Sequence, residues 1–265
     1  MMKPKNILLT GGHSGMGLEL TKKLLSEGHK IGLIIRSEQR KNEVLKELVN
    51  SDQIDFFFAD LSMREQLQQV AESIKSTWPT IDVIFNNAGV LLDKLYFSDY
   101  GNELQLEINA ISPYLLTKEL VPLLEASENP VVVNTATAGL HNKKSIDIAG
   151  FKKPKKFIKL MGSYMDSKLT MVLLMNYLNE KNKHIRVINA DPGAIKTKMT
   201  AGDGMPFWLK PIRNLFFKSP AQGAQNLYNA AFNSEGKGSG IYISGGKVKA
   251  IKVALENEQV AELLG

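Results

Sequence analysis

The segment ILLTGGHSGMG, residues 7–17, decides the fold that we expect for this chain. It begins with a short apolar run, which is typical of a buried strand, and it ends where a helical apolar pattern begins. Glycines occupy positions 11, 15 and 17, in the spacing Gly-x-x-x-Gly-x-Gly. Such a turn lets backbone N–H groups approach a pyrophosphate, and the helix dipole adds partial positive charge. The segment therefore predicts a strand, a phosphate-binding turn and a helix.

The same alternation of strand and helix continues along the chain. Apolar runs predict strands at residues 7–9, 31–35, 54–59, 81–85, 131–134 and 185–190. Helices are predicted at residues 15–27, 38–49, 62–77, 104–124 and 158–178, and Ser62 with Glu65 predicts a capping box for the third. Continuous apolar strands indicate burial on both faces. We therefore expect an α/β fold, a Rossmann-like doubly wound parallel sheet with helices on both faces and the ligand at the carboxyl ends of the strands.

Length and composition limit the class of protein. The chain has 265 residues and no linker or internal repeat, so we expect a single domain over residues 1–265. It has no cysteine and four scattered histidines, which argues against disulfides and against a metal site. No apolar run is long enough for a signal peptide or a membrane span. We therefore expect a cytoplasmic protein without stable membrane insertion.

The net charge of +6 suits an anionic ligand, but it is too small and too dispersed to indicate nucleic acid. The densest basic stretch covers residues 143–159. This stretch is either a solvent-exposed loop or an electrostatic contact site for an acidic partner or surface.

Tyr164 and Lys168 lie four residues apart in a predicted helix, so their side chains share one face. A free phenol has a pKa of about 10, and a nearby ammonium group lowers that value toward neutral pH. The pair is therefore a candidate acid/base unit. The alternative is a surface tyrosine beside a lysine whose stem lies on apolar surface.

The order of these motifs resembles that of the short-chain dehydrogenase/reductase family, and the resemblance extends along most of the chain. The glycine turn has the spacing of that family, and residues 86–89, Asn-Asn-Ala-Gly, match its turn after the fourth strand. Residues 60–61 fall where the family contacts adenine. Residues 191–193, Asp-Pro-Gly, match its Pro-Gly turn, and Thr197 matches the hydroxyl that helps to hold the nicotinamide carboxamide.

The resemblance implies a set of catalytic residues. Tyr164 would be the acid/base, Lys168 would also bind the ribose hydroxyls, and Asn109 would hold a water that connects Lys168 to solvent. The family usually has serine on the loop after the fifth strand, where this chain has Thr137 and, as the alternative, Thr135. Threonine keeps a hydroxyl that can bind a substrate oxygen, although its methyl group crowds the pocket.

The cofactor residues that follow from the resemblance are Gly11, His13, Ser14, Gly15, Met16, Gly17, Asp60, Leu61, Asn87, Ala88, Gly89, Tyr164, Lys168, Pro192, Gly193, Ile195 and Thr197. Simpler interpretations stay open for three of the motifs. Asp60 is also placed to cap the next helix, residues 86–89 are also a plain turn, and Asn109 also suits a helix surface.

The end of the second strand favours NADP(H) over NAD(H). An NAD enzyme usually places a carboxylate there for the ribose 2′-hydroxyl, whereas this chain has Arg36 and Ser37. A guanidinium and a hydroxyl suit a 2′-phosphate, and His13 and Ser14 add donors. The alternative is that Arg36 is a solvated residue at a strand end.

Residues 198–218 follow Thr197, and the resemblance makes this segment the substrate lid. Its apolar side chains imply an apolar, bulky carbonyl or alcohol as the small-molecule substrate. The alternatives are an interfacial amphipathic helix and ordinary packing. Residues 218–225 and 238–242 resemble the retinol-dehydrogenase-like subgroup. The apolar residues of the segment are Met199, Met205, Phe207, Trp208, Leu209, Ile212, Leu215, Phe216 and Phe217.

Two classes of function follow. The first is an NADP(H)-dependent oxidoreductase that passes hydride between the nicotinamide and a carbonyl or alcohol. The second, motivated by Thr137, is a dinucleotide-binding regulatory or scaffold protein without turnover. The sequence is compatible with a homo-oligomer.

Overall fold

The computed structural model describes residues 3–48, 51–154, 156–206, 213, 215–234 and 236–264. Within these residues, eight strands form one sheet in the order β3-β2-β1-β4-β5-β6-β7-β8. All neighbouring strands are parallel except β7 and β8. The predicted doubly wound parallel sheet is confirmed. The strands are β1 Asn6–Thr10, β2 Lys30–Ile35, β3 Ile54–Phe58, β4 Val83–Asn86, β5 Val131–Thr135, β6 Arg186–Ala190, β7 Ile241–Ser244 and β8 Lys247–Lys249.

Helices cover both faces of this sheet. No helix in the described ranges combines the length and the apolar character that are needed to cross a membrane. The helices are α1 Gly15–Ser26, α2 Glu38–Leu45, α3 Arg64–Thr77, α4 Leu104–Leu106, α5 Ser112–Glu119, α6 Val121–Glu125, α7 Ile148–Lys152, α8 Met165–Lys181, α9 Lys198–Ala201, α10 Pro220–Phe232 and α11 Asn257–Leu264. Two π-helical turns, Glu107–Ile111 and Lys159–Tyr164, lead into α5 and α8.

The predicted helix around residues 104–124 is confirmed as a series of helical segments from Leu104 to Glu125. The chain leaves the α-helical path at the π-helical turn Glu107–Ile111 and again at Leu120, which separates α5 from α6. Pro122 explains the second break, because proline has no N–H for the helical hydrogen bond and restricts the residue before it.

The predicted capping box at Ser62 is wrong. Helix α3 begins at Arg64, and its N-cap residue Met63 makes no side-chain cap hydrogen bond. The Ser62 hydroxyl instead donates to Asp60 Oδ1 at 2.7 Å, and the Glu65 carboxylate accepts from the Tyr100 hydroxyl. A carboxylate two residues upstream therefore competes successfully with the helix N-terminus for the serine.

Three buried asparagines connect the strands that carry the site. Asn86, Asn134 and Asn189 lie in register near the carboxyl ends of β4, β5 and β6. The Asn86 amide donates to Asn134 Oδ1 at 2.9 Å, and the Asn134 amide donates to Asn189 Oδ1 at 3.0 Å. A slip of one residue would turn neighbouring asparagines to opposite faces of the sheet and break this row. The row therefore helps to fix the relative positions of the three loops that follow these strands.

Candidate active site

A cavity of about 260 Å³ lies at the carboxyl ends of β1, β2 and β4. It brings together most of the residues that the sequence assigns to the cofactor. Ser37 is an exception, since its hydroxyl caps α2 by accepting from the Arg40 N–H at 3.4 Å. The predicted residues in this lining are Gly11, His13, Ser14, Gly15, Met16, Gly17, Arg36, Asp60, Leu61, Asn87, Ala88, Gly89 and Thr197.

The glycine turn brings the first turn of α1 directly onto the backbone that precedes it. A Cβ atom at Gly17 would lie 2.2 Å from the Gly11 carbonyl oxygen, so a larger residue does not fit there. Gly15 has φ +53°, a conformation that favours glycine. The N-cap residue Ser14 makes no side-chain cap hydrogen bond, which leaves the first N–H groups of α1 available to a ligand. This cradle fits the phosphates of a dinucleotide.

The turn after β4 is tied to the glycine turn by hydrogen bonds. Thr10 Oγ1 accepts from the backbone N–H groups of Asn87 and Ala88, both at 3.0 Å. The Asn87 amide donates in return to the carbonyl oxygens of Thr10 and Gly11. Asn87 therefore positions both turns as well as lining the cavity.

Positive charge surrounds the part of the cavity near β2. The Arg36 side chain is 66% exposed, and its Nη1 lies 3.8 Å from Asp60 Oδ2. His13 Nδ1 is buried without a hydrogen-bond partner in the described chain. Burial lowers the pKa of His13, and the charges of Arg40 and Arg36 lower it further. In the tautomer that carries its proton on Nδ1, His13 would join the two guanidinium groups as a donor to an anionic ligand group.

Sequence reasoning missed two cations at this place. Lys198 lines the same cavity, and its charge also lowers the pKa of His13. Arg40 lies in the first turn of α2 and pairs with Glu43 at 2.6 Å. A signal existed for each, because Lys198 directly follows Thr197 and Arg40 follows Arg36 by four residues.

A second cavity, of about 230 Å³, continues from the first. Met16, Asn87, Gly89, Thr197 and Met199 line both cavities, so one ligand can extend from the first into the second. The predicted residues in the second lining are Thr137, Tyr164, Lys168, Pro192, Gly193, Ile195 and Thr197. Thr197 also caps α9 by accepting from the Thr200 N–H at 3.2 Å.

Tyr164 and Lys168 meet in the second cavity. Tyr164 is 7% exposed, and Lys168 Nζ donates to the Thr135 carbonyl oxygen at 2.8 Å. Burial lowers the pKa of Lys168 to about 8. Burial raises the pKa of Tyr164, and the carboxylate of Asp191 raises it further. The expectation that the phenol would have a lowered pKa is therefore wrong, because burial and the Asp191 carboxylate both disfavour the phenolate.

Asn109 is buried within the π-helical turn Glu107–Ile111 and is not a surface residue. Its amide donates to the Val90 carbonyl oxygen at 2.9 Å and to Ser167 Oγ at 3.0 Å, and its Oδ1 accepts from the Val90 N–H at 2.8 Å. A Cβ atom at Gly89 would meet both Asn109 Oδ1 and Lys168 Nζ, at 3.0 and 3.2 Å. The structure thus places Asn109 next to Lys168, with glycine between them.

Thr137 and Thr135 both line the second cavity, but their surroundings differ. The Thr135 hydroxyl already donates to Asn87 Oδ1 at 3.5 Å, whereas no such bond of the Thr137 hydroxyl is seen among the described residues. The Thr137 backbone is held from β7, because the Tyr242 hydroxyl donates to its carbonyl oxygen at 2.6 Å. This arrangement favours Thr137 over Thr135 as the hydroxyl donor to a substrate.

The expected lid is described in part. Residues 207–212 and 214, which include Phe207, Trp208, Leu209 and Ile212, lie outside the described residues. Met199, Met205 and Phe217 line the second cavity, which gives it an apolar wall. Leu215 and Phe216 are 81% and 74% exposed.

Comparison with known proteins gives concordant results. The model of the short chain dehydrogenase family matches residues 5–204. Retinol dehydrogenase 13 of Mus musculus is 27% identical, with 98% of this chain and 81% of that protein covered. Polyprenol dehydrogenase of Danio rerio is 27% identical, with 92% and 79% covered.

Two solved structures share the fold. Salutaridine reductase from Papaver somniferum has a TM-score of 0.70 at 20% identity, over 91% of this chain and 99% of that chain. Pseudomonas aeruginosa RhlG, in a complex with NADP, has a TM-score of 0.70 at 22% identity, over 92% and 99%. Because the family model covers three quarters of the sequence and retinol dehydrogenases are among the relatives, the chain belongs to the short chain dehydrogenase family of oxidoreductases, near its retinol-dehydrogenase-like group.

Proposed function

We propose that this protein is an NADP(H)-dependent oxidoreductase that transfers hydride between the nicotinamide and an apolar carbonyl or alcohol, with Tyr164 as the acid/base residue. One observation carries the proposal. The cavity that contains Tyr164, Lys168 and Thr137 continues into the cleft of the glycine turn. A substrate in the cavity of Tyr164 would therefore lie beside the end of a dinucleotide that is held in the cleft of the glycine turn.

The cofactor would be held by groups already described. The first N–H groups of α1 suit the pyrophosphate, and the cations around His13 suit a 2′-phosphate. Arg36, which follows β2, and Lys198, the first residue of α9, both line this cavity. RhlG binds NADP, which supports the same cofactor class here. When it is bound, the nicotinamide supplies or accepts the hydride.

The side chains of the second cavity would bind the substrate oxygen and supply its proton. Thr137 would donate a hydrogen bond to that oxygen, which stabilises the charge that develops during reduction. Tyr164 would donate its proton to the same oxygen, and its raised pKa keeps that proton present at neutral pH. Lys168, with a pKa of about 8 and its Nζ fixed on the Thr135 carbonyl, is mostly an ammonium group at neutral pH and offsets the charge of the phenolate that results.

The substrate would be apolar. The same cavity has an apolar lining from Leu91, Leu160, Met199, Met205 and Phe217. Polyprenol and retinol, named for two relatives, are long apolar alcohols and belong to the class that such a lining suits.

A screen of aldehydes, ketones and quinones against NADPH oxidation tests the proposal. We expect turnover by the native protein, near-complete loss in Tyr164→Phe with unchanged NADPH affinity, and loss of both in Lys168→Ala. Tyr177→Phe is the matched control, since Tyr177 lies on the same helix outside the linings of both cavities. NADPH binding without any turnover would favour the regulatory function, and a near-native rate in Tyr164→Phe would exclude Tyr164 as the acid/base.

A further inference from the structure

The four most exposed large apolar side chains of the described residues lie in two short segments of the chain. Ile158 and Met161 are 53% and 63% exposed, and Leu215 and Phe216 are 81% and 74% exposed. Single apolar residues scattered over a surface are ordinary, whereas a group of them marks a contact surface. These four side chains therefore indicate a contact surface, provided that their segments lie close together.

Both segments border the cavity that contains Tyr164. Leu160 and Phe217, which lie next to the exposed pairs in the sequence, both line this cavity. Lys159 Nζ donates to the Asp203 carbonyl oxygen at 3.0 Å, which joins the first segment to the expected lid. The exposed apolar side chains are therefore grouped around the substrate cavity.

Lysines flank the exposed apolar pairs. Lys156 lies two residues before Ile158, Lys218 lies two residues after Phe216, and both lysines are exposed. The basic stretch over residues 143–159 has seven lysines and a single acidic residue. The surface thus combines positive charge with protruding apolar side chains. We call the following residues the rim surface: Lys156, Ile158, Met161, Leu215, Phe216 and Lys218.

This combination fits an anionic lipid surface better than it fits a protein partner. A bilayer offers negative head groups to the lysines and an apolar interior to the side chains that protrude between them. A second copy of this chain, paired about a two-fold axis, would bring the lysines of one rim surface close to those of the other. An acidic soluble protein would satisfy the lysines and leave the apolar side chains to be matched separately.

We propose that the rim surface docks this protein on an anionic lipid bilayer, with the cavity of Tyr164 close to the membrane. Such docking needs no helix that crosses the membrane. It is independent of the proposed function. A consequence for the substrate rests on that function, because an apolar carbonyl or alcohol that is dissolved in the bilayer could then enter the cavity directly.

Sedimentation with vesicles tests the docking. The native protein is mixed with vesicles of phosphatidylcholine alone or of an equal mixture of phosphatidylcholine and phosphatidylserine, and the bound fraction gives a partition coefficient. We expect binding to the anionic vesicles, and added salt should weaken it by screening the exposed charges. Two double variants, Leu215→Ser with Phe216→Ser and Lys156→Gln with Lys218→Gln, should each lower the partition coefficient roughly tenfold or more.

Strand β8 offers matched controls, because Lys247 and Val248 are an exposed lysine and an exposed apolar residue outside both cavities. Val248→Ser and Lys247→Gln should keep the native partition coefficient. The residues of the rim surface also lie outside both linings, so NADPH affinity without vesicles should be native in the two double variants. Thermal melting confirms that every variant is folded.

The proposal would be overturned by a native protein that does not bind anionic vesicles, by double variants that bind them like the native protein, or by equal losses in the β8 controls. Equal binding to both kinds of vesicle would overturn the choice of an anionic surface. Sedimentation velocity without vesicles tests the second copy. Self-association that Leu215→Ser with Phe216→Ser abolishes would assign the rim surface to an interface between copies.

The consequence for the substrate has its own measurement. With a bilayer-soluble substrate from the screen in anionic vesicles, KM should rise in the double variants, while turnover of a water-soluble aldehyde stays native. An unchanged KM would overturn direct entry from the bilayer. The vesicle assay needs no turnover, so failure of the proposed function would appear separately, as a protein that binds vesicles and has no activity in the screen.

Discussion

The Tyr242 hydroxyl donates a hydrogen bond to the Thr137 carbonyl oxygen at 2.6 Å, which joins strand β7 to the loop after β5. Tyr242→Phe keeps the ring and removes the donor. We expect the free energy of unfolding to fall by about 0.5–1.5 kcal/mol, the net contribution of a typical hydrogen bond. Turnover should also fall, because the Thr137 backbone loses the hydrogen bond that positions it. Denaturant unfolding and steady-state kinetics measure the two effects, and unchanged values in both would remove Tyr242 from the support of the site.

Cofactor preference is the second prediction. NADPH should bind more tightly than NADH, and Arg36→Ala and Lys198→Ala should each weaken NADPH binding by about 1.5–3 kcal/mol, the value of one charge-assisted hydrogen bond. NADH affinity should change little. Lys156→Ala, an exposed position outside both linings, controls for net charge. Fluorescence titration with both cofactors provides the measurement, and equal affinities in the native protein would contradict the assignment.

Thr137 separates the enzymatic function from the regulatory one. Thr137→Val keeps the shape and removes the hydroxyl, so we expect turnover to fall by about a hundredfold to a thousandfold, the loss of roughly 2.7–4 kcal/mol of transition-state stabilisation. Thr137→Ser should stay active and accept larger substrates. NADPH affinity should be the same in all three proteins. If Thr137→Val retains native activity while Thr135→Val does not, Thr135 is the donor.

His29 makes stability depend on pH. Its ring is fully buried, accepts from the Lys5 N–H at 3.2 Å and stacks on Phe232. Burial lowers the pKa of His29 below the usual value of 6.5. The unfolded chain therefore binds a proton at a higher pH than the folded chain, so this contribution to stability is complete above pH 6.5 and is lost as pH falls through the folded pKa.

The melting temperature should accordingly fall more steeply between neutral pH and pH 5 in the native protein than in His29→Gln. His13 acts in the same direction, since its pKa is also lowered, so part of the slope should persist in the variant. If the melting temperatures of the two proteins fall equally over this pH range, His29 does not contribute to the pH dependence of stability.

Local sequence patterns predicted the elements that depend mainly on interactions between residues close in the sequence. The apolar runs and the glycine turn gave strands β1 to β6 and helix α1 to within a few residues. The capping box predicted at Ser62 is absent, because the Ser62 hydroxyl donates to Asp60 and does not cap the helix N-terminus. Strands β7 and β8 were not predicted, because β7 lies between glycines and β8 contains a single apolar residue.

The residues of the candidate site could be predicted from the sequence. Their burial and the resulting pKa shifts could not. Spacing alone placed Tyr164 beside Lys168, and both line one cavity. It gave the wrong direction for the pKa of Tyr164, because that direction depends on burial and on Asp191. Asp191 and Ser244 are far apart in the sequence, and only the pairing of β6 with β7 brings them together.

The pairing of β7 with β6 also bears on how the protein is made. Ribosomes deliver the loops that carry Thr137 and Asp191 well before Tyr242 and Ser244, which fix them from β7. A nascent chain that ends before β7 therefore has every proposed catalytic side chain and lacks the contacts that order two of its loops. Contacts between distant segments form slowly. Completion of the site is thus a late event in synthesis, and errors in the final strands would damage activity more than they damage the helices made earlier.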